Sequence, residues 1–202
     1  MSATKPRLPA AERRRCVLDA AVQVFSRSSY SGATTAEIAR ECGVTEPVLY
    51  RHFQSKRDLY LACLEAAWEH VRAIWEDAVE NEPDPTFKVG AMGRAYIEQQ
   101  RSGERIMLSD LWVQALSEAS DDPKIRRYLR NQMREVHDFV AAVIRDSQAA
   151  GALPAQRDPD AEAWIFISLG LLSTIDRRLG AVGEDAFEGV FASRRAWLTG
   201  RV

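Results

Sequence analysis

Apolar positions recur at spacings of three and four along most of the chain, and no stretch shows the strict alternation of a half-buried strand. Val17, Ala20, Ala21, Val24 and Phe25 form one stripe and predict an amphipathic helix over Ala10–Ser28, ended by the run Ser28-Ser29-Tyr30-Ser31-Gly32. Two short helices follow. Thr34-Thr35-Ala36-Glu37 has the form of a capping box, in which the Thr34 hydroxyl accepts from the backbone N–H three residues on and Glu37 reaches back. The helix it opens runs to about Cys42, where Gly43 supplies a left-handed residue that stops it. Thr45 caps the next helix, which tolerates Pro47 in its first turn and ends near Phe53. Ser55, with Asp58 three residues on, opens a long helix to about Val79, with Leu64, Trp68, Val71 and Trp75 on one face.

Pro83 and Pro85 break the chain, and helices follow near Thr86–Gln100 and Arg105–Ala119. Asp122-Pro123 is a cap followed by proline in the first turn; Ile125, Leu129, Met133, Val136, Val140 and Ile144 then keep helical spacing until Gly151. Asp158-Pro159 repeats the signal for a helix to about Leu179, stopped by Gly180, and the last helix spans about Glu184–Leu198. The pattern predicts an all-α protein of about nine helices, divided into a small domain over residues 1–54 and a larger helical domain over 55–202. The most apolar run, Ala163–Leu172, falls well short of the roughly 20 residues that span a bilayer, so it reads as a buried helix and no membrane partner is expected.

Charge changes this picture more than composition does. The net charge of −2 hides ten basic against five acidic residues in 1–57 (+5) and an excess of seven acids in the remainder. A basic head on an acidic body suggests a polyanion at the head, and Lys5 and Arg7 could extend that attraction as an N-terminal arm. The three cysteines, Cys16, Cys42 and Cys63, are odd in number, well separated, and lack histidines at zinc-finger spacing. The expectation is therefore reduced thiols in a cytoplasmic protein, with no disulfide framework and no zinc site. Met1–Pro9 is polar and no apolar run follows it, so no signal peptide is expected. His70 and His137 have no cysteine or acidic partners at ligand spacing; no metal, cofactor or catalytic residue is expected, since nucleophile-elbow, phosphate-loop and HExxH patterns are all missing.

The informative unit is TTAEIARECGVTEPVLYRHF, Thr34 to Phe53. Two helices of about eight residues joined by a glycine-containing turn have helix-turn-helix proportions. Ile38, Ala39, Val44, Val48 and Leu49 can lock the two at a fixed angle, leaving the second helix for the major groove. The face of Thr45–His52 then offers Thr45, Glu46, Pro47, Tyr50, Arg51 and His52 to base edges and phosphates, and Lys56 stands at the start of the following helix for the same task. Phe53 reads as a core aromatic.

From Thr34 to Leu64 the chain resembles the TetR family of bacterial repressors, through Ile38-Ala39, Gly43-Val44-Thr45, Leu49-Tyr50, His52-Phe53 and Ser55-Lys56 with Leu59. Ser29 departs from the glycine that commonly precedes the position of Tyr30 in that family. The resemblance implies a homodimer that binds a palindromic double-stranded DNA operator and releases it when a small molecule enters the C-terminal domain. It also implies DNA contacts, chiefly to phosphate, at Thr34, Thr45, Tyr50, His52 and Lys56, with Glu46, Pro47 and Arg51 as base readers.

For a small-molecule effector, the body offers Trp68, Met92, Tyr96, Met107, Trp112, Met133, His137 and Trp164 as pocket candidates, although aromatics at helical spacing also build plain cores. Ala163–Leu172 is apolar nearly all round, so one face can serve the subunit and the other a partner; Phe166, Leu169, Leu172, Phe187 and Phe191 are the candidate dimer contacts. A ligand-independent architectural DNA-binding protein that recruits another protein is the alternative; a helical enzyme or carrier with an incidental helix-turn-helix is a more distant one.

Overall fold

The computed structural model describes residues 9–102 and 108–200. Among them are nine α-helices and no strand: α1 Ala10–Arg27, α2 Thr35–Glu41, α3 Glu46–Tyr50, α4 Lys56–Glu80, α5 Lys88–Ser102, α6 Leu108–Glu118, α7 Pro123–Ala149, α8 Pro159–Leu179 and α9 Glu184–Thr199. A short 3₁₀ turn, Pro85–Phe87, leads into α5. The start expected for the sixth helix, together with Met107, Lys5 and Arg7, lies outside the described residues.

Several helix starts follow from their caps. Thr34 Oγ1 accepts from Glu37 N at 3.1 Å, Ser55 Oγ from Asp58 N at 3.0 Å, and Asp122 Oδ1 from Lys124 N and Ile125 N at 2.8 and 3.3 Å. The third helix is shorter than its pattern predicts. It stops at Tyr50, because Arg51 and His52 bond back to Val48 and Leu49 in a turn that brings Phe53 into the core.

α4 is the axis of the molecule. Its first turns pack on α1, and its later turns pack along α5, α6 and α7. One continuous apolar core therefore runs from Val17 in α1, through Leu59, Leu64 and Trp68, to Leu198 in α9. α7 lies along α8, whereas α9 attaches through few points: buried Leu198, the Arg194–Glu162 ion pair, and the Arg157 guanidinium 3.7 Å above the Trp197 ring. Among the described residues no helix is long and apolar enough to cross a membrane.

The cysteines depart from expectation. Cys16 and Cys42 are disulfide-bonded, with Cα atoms 5.9 Å apart. They are 26 residues apart in sequence, but α1 and α2 pack side by side and bring them together. Cys63 is a free, buried thiol.

Candidate nucleic-acid interface

α2, the turn at Gly43 and α3 form the helix-turn-helix. Gly43 has φ +70°, a conformation glycine adopts without a Cβ penalty, and Val44 N bonds back to Ala39 O at 2.9 Å. Ile38, Ala39 and Leu49 are buried between the helices, as their spacing requires.

Thr45, Pro47, Tyr50 and Arg51 are exposed on and beside α3, with Thr34 exposed at the start of α2, while His52 is half-buried. The Thr45 backbone carbonyl accepts from Val48 N and Leu49 N, but its hydroxyl makes no capping bond, contrary to the expected side-chain cap. That hydroxyl is left for an outside partner.

Glu46 and Tyr50 are not independent side chains. The buried Thr35 Oγ1 donates to Glu46 Oε1 at 2.6 Å and lies 3.1 Å from the Tyr50 hydroxyl. Thr35 has one proton and the carboxylate can only accept, so the Tyr50 hydroxyl must donate to Thr35. The phenol thus points back across the helix pair, and a phosphate contact made by its O–H requires release from Thr35. Glu46 is half-buried in the same arrangement, which places its carboxylate as a brace for α3 rather than as a free base reader.

Positive charge gathers beside this surface. Lys56 Nζ sits 4.7 Å from the Tyr30 ring centroid and 3.4 Å from Ser31 O, and burial lowers its pKa. The Arg14 guanidinium lies 5.0 Å from the Phe53 ring centroid, which puts one of the three consecutive arginines at the end of the α3 segment. Each such contact contributes about 0.5–1 kcal/mol at an exposed site and fixes where the cation stands.

Gln114 Nε2 donates to Ser26 O at 3.4 Å and ties the head to the body, while the start of α4 is held to the body by Arg57 Nη1, which donates to Asp122 Oδ2 at 2.8 Å, and by Tyr60 Oη, which donates to Leu111 O at 3.1 Å. The Arg57 bond holds the Asp122 carboxyl below the usual carboxylate range.

Behind these ties the body contains a cavity of about 1180 Å³ among α4, α5, α6, α7, α8 and α9. Its wall is largely apolar and aromatic: Trp75, Tyr96, Trp112, Phe166, Phe187 and Phe191 all contribute. It reaches solvent beside α9, where the exposed Asp185, Glu188 and Arg195 are among its lining residues. Trp112 Nε1 donates to buried Gln132 Oε1 at 2.5 Å, and Gln132 Nε2 donates to Leu64 O at 3.0 Å and lies 3.1 Å from the Tyr128 hydroxyl. A cavity-wall side chain is thereby bonded, through one amide, to the backbone of α4.

Of the pocket candidates, Tyr96, Trp112 and Met133 line the cavity. Four others stand elsewhere. Trp68 packs edge-on against Trp75 and Phe139, and Met92 is fully buried in the core. His137 stacks on exposed Trp164 at 4.4 Å and bonds to Asp138 and to the Asp160 carbonyl. Among the dimer candidates, Phe166, Leu169, Phe187 and Phe191 turn toward the cavity; Leu172 does not line it. On α8, 100° per residue puts Phe166 and Leu169 on one side and Trp164, Leu172, Ile175 and Leu179 on another. Thr35, Gln132 and the Cys16–Cys42 pair escape the sequence reading. Thr35 and Gln132 leave a legible signal, each being a polar residue within an apolar helical stripe.

A helix-turn-helix with an exposed second helix, joined by one long helix to a cavity-bearing helical body, defines a DNA-binding transcriptional regulator. Residues 17–63 match the family model described as bacterial regulatory proteins, tetR family, and residues 89–170 match that of the BetI-type transcriptional repressor, C-terminal. The two matches together cover more than half of the chain, which belongs to the TetR family of transcriptional regulators. It is 36% identical over 110 residues to the HTH-type transcriptional activator FasR of Mycolicibacterium smegmatis, a match covering 53% of this chain and only 50% of that protein. It is 24% identical over 165 residues to the HTH-type transcriptional regulator UidR of Escherichia coli, covering 81% of each. The crystal structure of AibR in complex with isovaleryl coenzyme A and operator DNA shares the fold, with a TM-score of 0.67 and 20% identity over 93% of this chain and 98% of that one.

Proposed function

We propose that the protein is a cytoplasmic homodimer that represses transcription from a palindromic operator and leaves it when a largely apolar small molecule fills the body cavity. One observation carries this reading. Trp75, in the cavity wall, and Lys56, beside the recognition helix, lie on the same α-helix, about 28 Å apart at 1.5 Å per residue. A ligand that displaces Trp75 or Trp112 moves α4, directly or through Gln132, and with it the anchor of the head. The ligand needs only to bind better to a dimer whose heads are mis-spaced; operator affinity then falls by the same factor as ligand affinity falls on DNA. AibR, solved with both an acyl coenzyme A and operator DNA, supports the pairing of the two sites in this fold.

The homodimer rests on surface chemistry. Of seven large apolar side chains exposed among the described residues, Trp164, Ile165, Ile175, Leu179 and Trp197 are on α8 and α9. The seam we propose is the outward face of α8, where Leu172 also lies, with Phe166 and Leu169 left to the cavity. Two heads on such a dimer can meet successive major grooves about 34–36 Å apart. The architectural alternative has no use for a cavity of this size and lining.

The test is selection of duplexes from a random pool by the full-length protein, with footprinting of the DNA upstream of its own gene at two salt concentrations. A recovered palindrome whose affinity falls steeply with salt is expected. A recovered site with one half only overturns the dimeric reading. A palindrome that no small apolar molecule releases in a screen overturns the ligand-responsive one.

A further inference from the structure

Two of the three cysteines lie in the head, where a bond between them bears on the recognition helix. Cys16 is in α1, beside buried Val17. Cys42 is the C-cap of α2, and the turn that aims α3 begins at the next residue, Gly43. Their Cα separation of 5.9 Å is what a disulfide requires. Both residues are half-buried, so a small oxidant can reach them, whereas Cys63 is fully buried, its thiol pushed up by burial.

We propose that Cys16 and Cys42 form a reversible thiol–disulfide switch in the DNA-binding head, closed by hydroperoxides and reopened by cellular dithiols, and that the disulfide form binds operator more tightly. Cys16 is the attacking thiol: Arg13 stands one helical turn away on its face, while Cys42 sits at the negative end of the α2 dipole. The Cys16 thiolate attacks the terminal oxygen of the hydroperoxide and the O–O bond breaks; the departing alkoxide takes up the proton that the Cys16 thiol had lost and leaves as the alcohol, with Cys16 as sulfenic acid. The Cys42 sulfur then attacks Cys16 Sγ, and the S–O bond breaks. The departing hydroxide takes the second thiol proton and leaves as water. Two thiols lose two electrons, and the hydroperoxide is reduced to alcohol and water. A dithiol reverses the bond through a mixed disulfide and is itself oxidised.

The consequence follows from position. Non-bonded sulfurs stand further apart than bonded ones, so reduction frees the end of α2 to drift from α1, and the Gly43–Thr45 turn carries that freedom to α3. The cross-link holds the helix-turn-helix in the arrangement described above, and a preorganised reader loses less freedom on binding.

The full-length protein is reduced with dithiothreitol, treated with cumene hydroperoxide, alkylated under native conditions and weighed by intact-mass spectrometry. Its affinity for the duplex recovered by random-pool selection is measured in both states, alongside Cys16→Ser and Cys42→Ser. Expected are loss of two alkylation sites, a gain in affinity of roughly three- to tenfold that dithiothreitol reverses, and no response in either variant. Thiols that still alkylate after hydroperoxide, or an oxidised protein that binds as well as or more weakly than the reduced one, overturn the proposal. The comparison on the unmutated protein decides the matter even if a serine variant folds poorly.

Discussion

Thr35 has a single proton, and spending it on Glu46 determines how Tyr50 stands. The hydroxyl braces α3 from the buried side while the outward side keeps Thr45, Pro47 and Arg51 exposed. Thr35→Val keeps the shape of the side chain and removes the brace. Glu46 is half-buried and Tyr50 exposed, so water can replace much of what is lost, and the stability cost is about 1 kcal/mol. Operator affinity should fall further than that suggests, by roughly fivefold to tenfold, because both side chains of α3 lose their positions. Anisotropy titrations on the selected duplex, with a thermal melt as control, check this; unchanged affinity would show that Thr35 only packs. The pattern of residues places Glu46 and Tyr50 on the recognition helix correctly but cannot reveal that they share a proton donor. That pairing spans two helices whose crossing angle is set by packing.

At the scale of the element, capping signals carry furthest. Thr34, Ser55, Asp122 and Asp158 each cap the helix that their spacing announces. Periodicity gives a face but not a depth, which is why Trp68 and Met92, on correctly assigned helices, stand outside the cavity that Tyr96 and Trp112 line. Asp122 does two tasks, capping α7 and receiving Arg57 from α4. The Arg57 hydrogen bond depresses its folded-state pKa below the unfolded value of about 3.9. A depressed acid contributes stability that is present above the unfolded pKa and is lost as pH falls through the folded one. Denaturant melts from pH 6 down to pH 2 should therefore show a loss below about pH 4, and Asp122→Asn, which keeps a capping oxygen, should flatten part of that slope. An unaltered slope would assign the acid sensitivity to other carboxylates.

For the whole molecule, the open question is what covers α8. In a single chain Ile175 and Leu179 are 46% and 73% exposed, and with Trp164 and Leu172 they fall on one side of the helix. Sequence shows that Ala163–Leu172 is apolar nearly all round, but assigning its sides needs the position of α7 and the cavity. Two substitutions separate those sides. Leu169→Glu puts a charge into the cavity wall and should destabilise the subunit itself. Ile175→Glu leaves the charge in water in a lone subunit, so the fold should melt within a few degrees of wild type, while in a dimer the same glutamates are driven into the seam. Sedimentation velocity should then show Ile175→Glu as a monomer at concentrations where wild type is a dimer. Its affinity for a palindromic duplex should fall by roughly a hundredfold, since each head must bind without the other's effective concentration, whereas affinity for an isolated half-site should be unchanged. If Ile175→Glu sediments as a stable dimer, the seam lies elsewhere, and the apolar face of α8 requires a different partner.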